Sequence, residues 1–534
     1  MEKCILHEIW GNSVVTGDVK ADKPDLLAFI NTFNALDIID KHCSGKESKI
    51  AIHCDVDVDG IGTGYILGKT LQSLYGVKPI YVINKEKEHG VQQKHVDFFA
   101  KNPIDLILIV DSSTNEIDII KQFNCDVVVI DHHDVRVPLS ELNGATSKEG
   151  CKYTIVNNTI ENLEDIEINC WVDRVRQNTG KSIQRHDGDD RMSCGLVVYE
   201  TLRILCDALG IDKLLENLRL YQWVGVTLFT DSITLNVPRN QWYIENTVMS
   251  QETETTLWKL LSQLNRFKAA LDKTTISYTI APVINKAIRA GHSGDALSCV
   301  VYNPSKVLSL MQFREEQDRA INFGICDVKS FDSYILKDLT NSNINKNYNG
   351  VIASRLCGEN NKNTLVFRVE DGIVSGSFRG RLSSVDYREL VDEYNEYSEG
   401  SGHKSAFGFK CRVEDLDDIM RKLTTIEENI STQPLITAGK MNSINPGKYV
   451  IEDMEEFKRQ GSLWRLGIGN ARLNNDEQVM ITVSTSDVQL AEQKNKLYIY
   501  NVLGLQCKAF KPITTPVVNI YVEYSRQIDC YIKN

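Results

Sequence analysis

The segment His53-Cys54-Asp55-Val56-Asp57-Val58-Asp59-Gly60 puts three carboxylates and an imidazole into one turn, directly after an apolar run that begins at Ile50. So much like charge is costly in one place unless a cation neutralises it. Two further acidic turns follow, Val110-Asp111-Ser112-Ser113 and Ile130-Asp131-His132-His133, again capping hydrophobic runs (106–110 and 127–130). Three such turns on successive strand ends predict one divalent-metal site. Hard carboxylate oxygens with a few imidazoles suit Mg²⁺ or Mn²⁺ and phosphoryl chemistry, and the histidines tilt the choice toward Mn²⁺. The first turn also matches the opening of an EF-hand calcium loop. That loop needs Glu at its twelfth position, where this chain has Ile66, and the preceding segment is strand-like rather than helical. Gly60, Gly62 and Gly64 open the next helix and are expected to let its backbone approach a phosphate. Asp231, after Val224 to Thr230, is a fourth candidate that on its own reads as a helix cap or turn.

The elements that position these turns follow from the spacing. Strands are predicted at 49–54, 79–83, 105–110, 126–130 and 153–156, with helices at 61–75, 91–101 and 115–123. This is βαβ patterning, a parallel sheet covered by helices, and ligands bind beyond the carboxyl ends of such strands. Residues 157–190 are polar and acidic and read as a loop or insertion; its His186-Asp187-Gly188-Asp189-Asp190 cluster reads as solvated. Residues 193–275 read as mainly helical and 304–340 as a charged helical connector. Strands are predicted at 350–354, 364–369 and 372–377 in a second mixed domain, and a β-rich module over 435–534.

The chain has 534 residues, too many for one core. Its net charge of −12 is the wrong sign for coating DNA by bulk electrostatics, though not for an enzyme with a local basic channel. No apolar run approaches the roughly 18 residues of a membrane span, and charges interrupt the apolar residues at the start, which does not read as a signal peptide. No two of the 14 cysteines are closer than Cys43 and Cys54, so there is no CxxC; a zinc ribbon is disfavoured and no zinc is expected. The thiols are expected reduced, in a cytoplasmic setting.

In this order, His53, Asp57 and Asp59 (with Asp55), then Asp111, then Asp131-His132-His133, then Asp231, resemble the motifs of the DHH phosphoesterase superfamily, and Asp55 is typical of its RecJ branch. The likeness continues in Ala281-Pro282-Val283-Ile284-Asn285-Lys286-Ala287-Ile288-Arg289, in Asn349 to Leu356 (a G-x-x-A-S-R-L segment), in Gly376-Ser377-Phe378-Arg379, in Gly402-His403-Lys404-Ser405-Ala406-Phe407-Gly408 and in Leu466-Gly467-Ile468-Gly469-Asn470. Phe229, Thr230 and Phe407 stand where the family has small residues. The resemblance implies an α/β fold: a parallel-sheet DHH catalytic domain (49–330) after an N-terminal extension (1–48), a smaller α/β accessory DHHA1-like domain (346–425), and a C-terminal β-rich OB-like module (435–534).

It also implies a 5′→3′ exonuclease on single-stranded DNA, acting in repair, recombination or replication beside a single-strand-binding protein or helicase. Two metal ions, Mn²⁺ by preference, would be held by His53, Asp55, Asp57, Asp59, Asp111, His132 and Asp231, with Asp111 bridging; paired ions roughly 3.5–4 Å apart activate water and stabilise the leaving oxygen. Asp55, Asp131 and His133 are the expected catalytic set, Asp131 orienting an imidazole and His133 meeting the scissile phosphate. Asn285, Arg289, Ser377, Arg379, Gly402 and His403 are the expected substrate contacts. Trp464, Tyr498 and Tyr500 are candidates for base stacking, although alternating aromatics in strands more often form core. Two alternatives remain open: a phosphodiesterase of the same superfamily for short oligonucleotides or cyclic dinucleotides, and a non-catalytic RecJ-like scaffold.

Overall fold

Strands Ile80–Ile83, Ile50–Cys54, Leu106–Val110, Asp126–Asp131 and Lys152–Asn157 lie side by side in that order, all parallel, with Asn143–Ala145 antiparallel at one edge. The computed structural model describes residues 23–45, 47–189, 191–231, 233, 237–250, 252–264, 271, 275–360, 362–381 and 385–431, and seven short stretches between 480 and 533. It divides into two compact units, at Arg314/Glu315.

The first unit is built on the parallel sheet. The runs Ile-Ala-Ile-His-Cys (50–54) and Leu-Ile-Leu-Ile-Val (106–110) are buried along their whole length, because helices cover both faces. Each such aliphatic side chain contributes about 1.5–3 kcal/mol as an upper bound. Helix Val58–Tyr75 follows the first strand, and Asp57 caps it by accepting the Gly60 N–H at 2.9 Å. Between 115 and 123 only Ile117–Ile120 is helical. Residues 23–48 belong to this unit. Leu26–Ala28 pairs in parallel with Ile183–Arg185, and helix Thr32–Cys43 buries Phe33, Leu36 and Ile39. That pairing corrects the reading of 157–190 as an unanchored loop. The segment contains helix Cys170–Thr179 and a strand, and His186 is buried, its Nε2 2.8 Å from the Asn158 carbonyl.

Gly60, Gly62 and Gly64 are also not what their spacing suggested. A Cβ at Gly60 would meet the Asp55 backbone at 2.7 Å, and one at Gly62 would meet Thr227 and Trp223 at 3.1–3.2 Å, while one at Gly64 would strike the Cys54 sulfur. They serve close packing of the helix on its own strand and on helix Tyr221–Thr230, not the approach of a ligand.

The second unit holds a six-stranded mixed sheet in the order Glu399–His403, Ala406–Arg412, Ile373–Arg379, Asn363–Glu370, Tyr334–Asp338, Lys329–Ser330. One face packs on Phe378, Tyr387, Phe407 and Ile419, the other on Ile335, Ile352, Leu356 and Val366. Residues 350–354, expected as a strand, lie in helix Asn349–Asn360. Ile352, Ala353, Leu356 and Cys357 recur at helical spacing and are buried together, a period the short run Val351-Ile352-Ala353 hides. The connector read as helical to 340 is helix Gln312–Gly324 followed by strand Tyr334–Asp338. Six further strands between Met480 and Lys533 form a separate, mainly antiparallel sheet. In it Tyr500 is buried and stacks on Tyr498, so Tyr500 is a core residue and not a base-stacking platform; Trp464 and 466–470 lie outside the described residues.

Candidate metal centre

Strand register brings the acidic turns together. Cys54 pairs with Val110, and Val110 with Ile130, so the next residues, Asp55, Asp111 and Asp131, leave three adjacent parallel strands at the same level. Neighbouring strands lie about 4.8 Å apart. Asp111 has φ +67° and Ser113 φ +78°, left-handed conformations that a non-glycine residue adopts at a cost. That turn holds the Asp111 carboxylate over the sheet edge.

Three groups of donor atoms result, each with its atoms within 4.8 Å of one another: Asp55, Asp57 and Asp111; Asp59, His132 and Asp231; and Asp111, His132 and His133. Asp231 ends helix Tyr221–Thr230 and so arrives from a different element. His132 Nδ1 lies 2.8 Å from the Met192 carbonyl, which can only accept, so this nitrogen carries a proton. In the neutral ring Nε2 is then a lone pair. It faces two carboxylates, Asp111 Oδ1 at 3.2 Å and Asp231 Oδ2 at 3.5 Å. Lone pairs converging in this way call for a cation, or a shared proton, between them.

The charges tell the same story. Burial first, then Asp59, Asp57, Asp55 and Asp231, push the Asp111 carboxyl well above the usual carboxylate range, and Asp111 Oδ1 accepts no well-formed hydrogen bond. Burial raises Asp59 to about 7, opposed by His132 and reinforced by Asp231 and Asp57. Asp59 is nonetheless firmly held. It accepts from Thr63 Oγ1 at 2.9 Å and from the Cys194 and Gly195 N–H groups at 2.9 and 3.1 Å, at the positive end of helix Cys194–Ala208. His53 is fully buried beside His95, their rings 4.8 Å apart, and both its ring nitrogens lack a hydrogen-bond partner. Burial, then His95, push it down to about 3, so it is a neutral donor; it lies in none of the three groups.

Asp131 plays a different part. It accepts from Thr114 N–H (3.1 Å) and Oγ1 (2.7 Å), from the His132 and His133 N–H groups (2.8 and 3.3 Å), and pairs with His133 Nδ1 at 2.8 Å. Burial would raise its carboxyl, but His133 and Thr114 outweigh it and hold it far below the usual range. The same pair overcomes burial to lift His133 to about 10. His133, half exposed, therefore presents a protonated ring at the mouth of the site.

Two residues escaped the sequence reading. His89 Nδ1 lies 2.6 Å from Asp55 Oδ2, and the Gly90 N–H reaches Asp55 Oδ1 at 3.2 Å. Burial pushes Asp55 up, but His89 and Gly90 win and hold it below the usual range. His89 sits in Lys85-Glu86-Lys87-Glu88-His89, which looks like a solvated charge run. The available signal was its place after the strand end Ile83. Asn157, next to Asp131 in register, bonds Thr114 Oγ1 and the His133 carbonyl at 3.1 and 2.9 Å. Replacing His89 by Ala frees Asp55 to turn. Such supports are worth about 10–100-fold in metal affinity, and a Mn²⁺ titration of H89A should show a loss in that range with the fold intact.

The expected substrate residues are distributed over both units. Asn285 and Arg289 lie four apart on one face of helix Ala281–Arg289 in the first. Ser377 and Arg379 end strand Ile373–Arg379 in the second, where Arg379 Nε bonds Ser354 Oγ at 3.0 Å and packs on Gly350, so the segments 349–356 and 376–379 meet. Gly402, at φ +130°, and His403 lie on strand Glu399–His403; Arg388 donates to the Gly402 carbonyl at 2.7 Å.

Residues 49–176 match the DHH family, N-terminal domain. The single-stranded-DNA-specific exonuclease RecJ of Bacillus subtilis (strain 168) is 26% identical over 119 residues; the match covers 21% of this chain and only 15% of that protein's length. Crystal structures of RecJ from Thermus thermophilus in complex with Mn²⁺ and with Mg²⁺ both superpose with a TM-score of 0.65. They are 16% and 15% identical, covering 96% and 99% of this chain and 73% and 74% of theirs. A RecJ exonuclease bound to manganese superposes at 0.54, with 18% identity, over 77% of this chain and 99% of its own. The parallel sheet with its acidic rim thus lies in the segment that matches the DHH N-terminal domain. In fold, the chain is similar to these RecJ structures.

A cation entering this centre competes with the proton on Asp59, whose carboxyl is raised to about 7, and with the raised proton affinity of Asp111. Mn²⁺ affinity should therefore rise between pH 6 and pH 8, through the raised Asp59 value, with protons released on binding. Titration calorimetry in buffers of different ionisation enthalpy measures that release. A binding heat independent of buffer at pH 6.5 would contradict it.

Proposed function

We propose that this chain is a metal-dependent exonuclease that hydrolyses phosphodiester bonds of single-stranded DNA from the 5′ end, in the cytoplasm, during repair, recombination or replication. The observation that carries the reading is the convergence of Asp59, Asp111, His132 and Asp231, whose donor atoms face one another beyond the strand ends, an arrangement that fits a divalent cation. His53, Asp55, Asp57, Asp59, Asp111, His132 and Asp231 would hold two ions, Mn²⁺ by preference, with Asp111 shared between them. When bound, such ions supply Lewis-acid stabilisation of charge developing on a phosphodiester.

The chain's own residues do the rest. Asp131 fixes the His133 ring through Nδ1, leaving Nε2–H to donate to a phosphate oxygen. His89 and Gly90 keep Asp55 ionised and aimed. Asn285, Arg289, Ser377, Arg379, Gly402 and His403 would bind the strand, arginine because its fork bonds two phosphate oxygens at once.

The test uses purified protein, Mn²⁺ and single strands labelled at either end, with a dinucleotide alongside and D57A as control. Rapid release of the 5′ label from the long strand by wild type, absent in the variant, is expected. Equal release by both proteins would overturn the metal mechanism. Preference for the dinucleotide would overturn the substrate.

A further inference from the structure

Helix Val58–Tyr75 carries Asp59 at one end, and a cavity of about 560 Å³ opens at the other. Asp59 and Lys69 are separated by about 15 Å along the helix axis at 1.5 Å per residue. The cavity lies at the amino-terminal side of the edge strand Ile80–Ile83, away from the strand ends that carry the acidic turns. Its volume is within the roughly 300–1,000 Å³ of sites that enclose one small molecule.

Four cations line it, Lys69, Lys78, Lys259 and Arg219, in a chain whose net charge is −12. Arg219 pairs with Glu252, but Lys69, Lys78 and Lys259 make no ion pair among the described residues, although Lys69 is half-buried. The one acidic group in the lining, Glu254, is buried and fully engaged. It accepts from Tyr65 Oη and the Trp223 indole N–H at 2.9 and 3.1 Å, and from the Thr256 and Leu257 N–H groups at 2.8 and 3.0 Å. Glu254 thereby occupies the start of helix Thr255–Leu264, so it offers no free acceptor to the lysines and takes up the helix donors. Three lysines without an ion-pair partner among the described residues, Lys69 half-buried and Lys78 and Lys259 exposed, gather at one concave site and attract an anion there.

The cavity also has an aromatic wall. Tyr81 and Tyr302 meet edge to face, ring centroids 5.8 Å apart, and Tyr302 is 64% exposed. Gly68 gives Tyr81 its position, since a Cβ there would collide with the Tyr81 hydroxyl. An exposed ring held in place by a second ring is a stacking surface for a planar heterocycle.

We infer that this cavity binds a nucleoside monophosphate, its phosphate on Lys69, Lys78 and Lys259 and its base on Tyr302, separately from the metal centre. The inference is independent of the proposed nuclease activity.

Calorimetry on the full chain stripped of metal with EDTA tests it, using AMP, inorganic phosphate and adenosine as probes. Wild type binds AMP at least tenfold more tightly than either fragment. Lys69→Ala with Lys259→Ala weakens AMP at least tenfold, Tyr302→Ala weakens AMP and adenosine but not phosphate, and Asp111→Asn leaves the affinity for AMP as it is in wild type. All these substitutions are at side chains outside the core or at the metal centre, and thermal melts confirm that the variants fold. No AMP binding at millimolar concentration overturns the inference. So does AMP binding that survives the double lysine substitution, or phosphate bound as tightly as AMP.

Discussion

Asp111→Asn is expected to abolish Mn²⁺-dependent activity, by on the order of 10³-fold or more, while making the metal-free protein more stable. Asp111 belongs to two of the three donor groups, so its loss breaks both. Its cost to the empty site follows from its surroundings. The carboxyl is buried among Asp59, Asp57, Asp55 and Asp231, which hold its pKa well above the ordinary value. A group raised in the folded state contributes stability that is present at low pH and lost as pH rises through the folded value. The amide has no such loss. The stabilisation of D111N over wild type should therefore be smallest near the unfolded carboxylate value of about 3.9 and grow as pH rises above it, seen as a rise in melting temperature of about 2–4 °C for each kcal/mol of repulsion removed. Saturating Mn²⁺ should reverse the order, since only wild type gains binding energy. A variant less stable than wild type without metal at pH 9 would contradict this account of the centre.

Asp131→Ala has the opposite signature. Asp131 satisfies five donors, among them the backbone N–H groups of Thr114, His132 and His133, and its removal leaves several buried without partners. A loss of about 3–5 kcal/mol is expected, with or without metal. Urea denaturation measures it. The Asp131 carboxyl is depressed on folding, so its contribution is present above the unfolded carboxylate pKa of about 3.9 and fades as pH falls below it toward the folded value. The gap between D131A and wild type should thus narrow between pH 4 and pH 2. A gap that widens in acid would show that Asp131 is not held as an anion. Both variants lose activity, and their opposite effects on the empty protein separate a residue that waits for a cation from one that shapes the site.

The centre was legible in the sequence because parallel sheets bring consecutive strand ends together. Once 50–54, 106–110 and 126–131 are strands, Asp55, Asp111 and Asp131 are neighbours whatever the helices do. Asp231 was legible only through the resemblance, since a helix C-terminus carries no periodic signal of where it points. His89 and Asn157 were hidden for a related reason: a histidine in a charged tract and an asparagine after a strand are ordinary surface residues until register places them beside Asp55 and Asp131. The misreadings have local causes. The run Val351-Ile352-Ala353 is too short to separate a strand period from a helical one, and burial of Leu356 and Cys357 decides it. The glycines after Asp59 match a phosphate-binding turn in spacing, but Cys54, Trp223 and Thr227 fill the space a phosphate would need. Residues 157–190 look solvated because their anchor, Leu26–Ala28, lies more than a hundred residues upstream.

The most direct measurement is an anomalous difference map from crystals soaked in Mn²⁺ above pH 7. The account predicts manganese peaks among Asp55, Asp57 and Asp111 and among Asp59, His132 and Asp231, with Asp111 touching both. Crystals of the same protein showing these side chains turned apart, and no peak at the rim of the sheet, would contradict it.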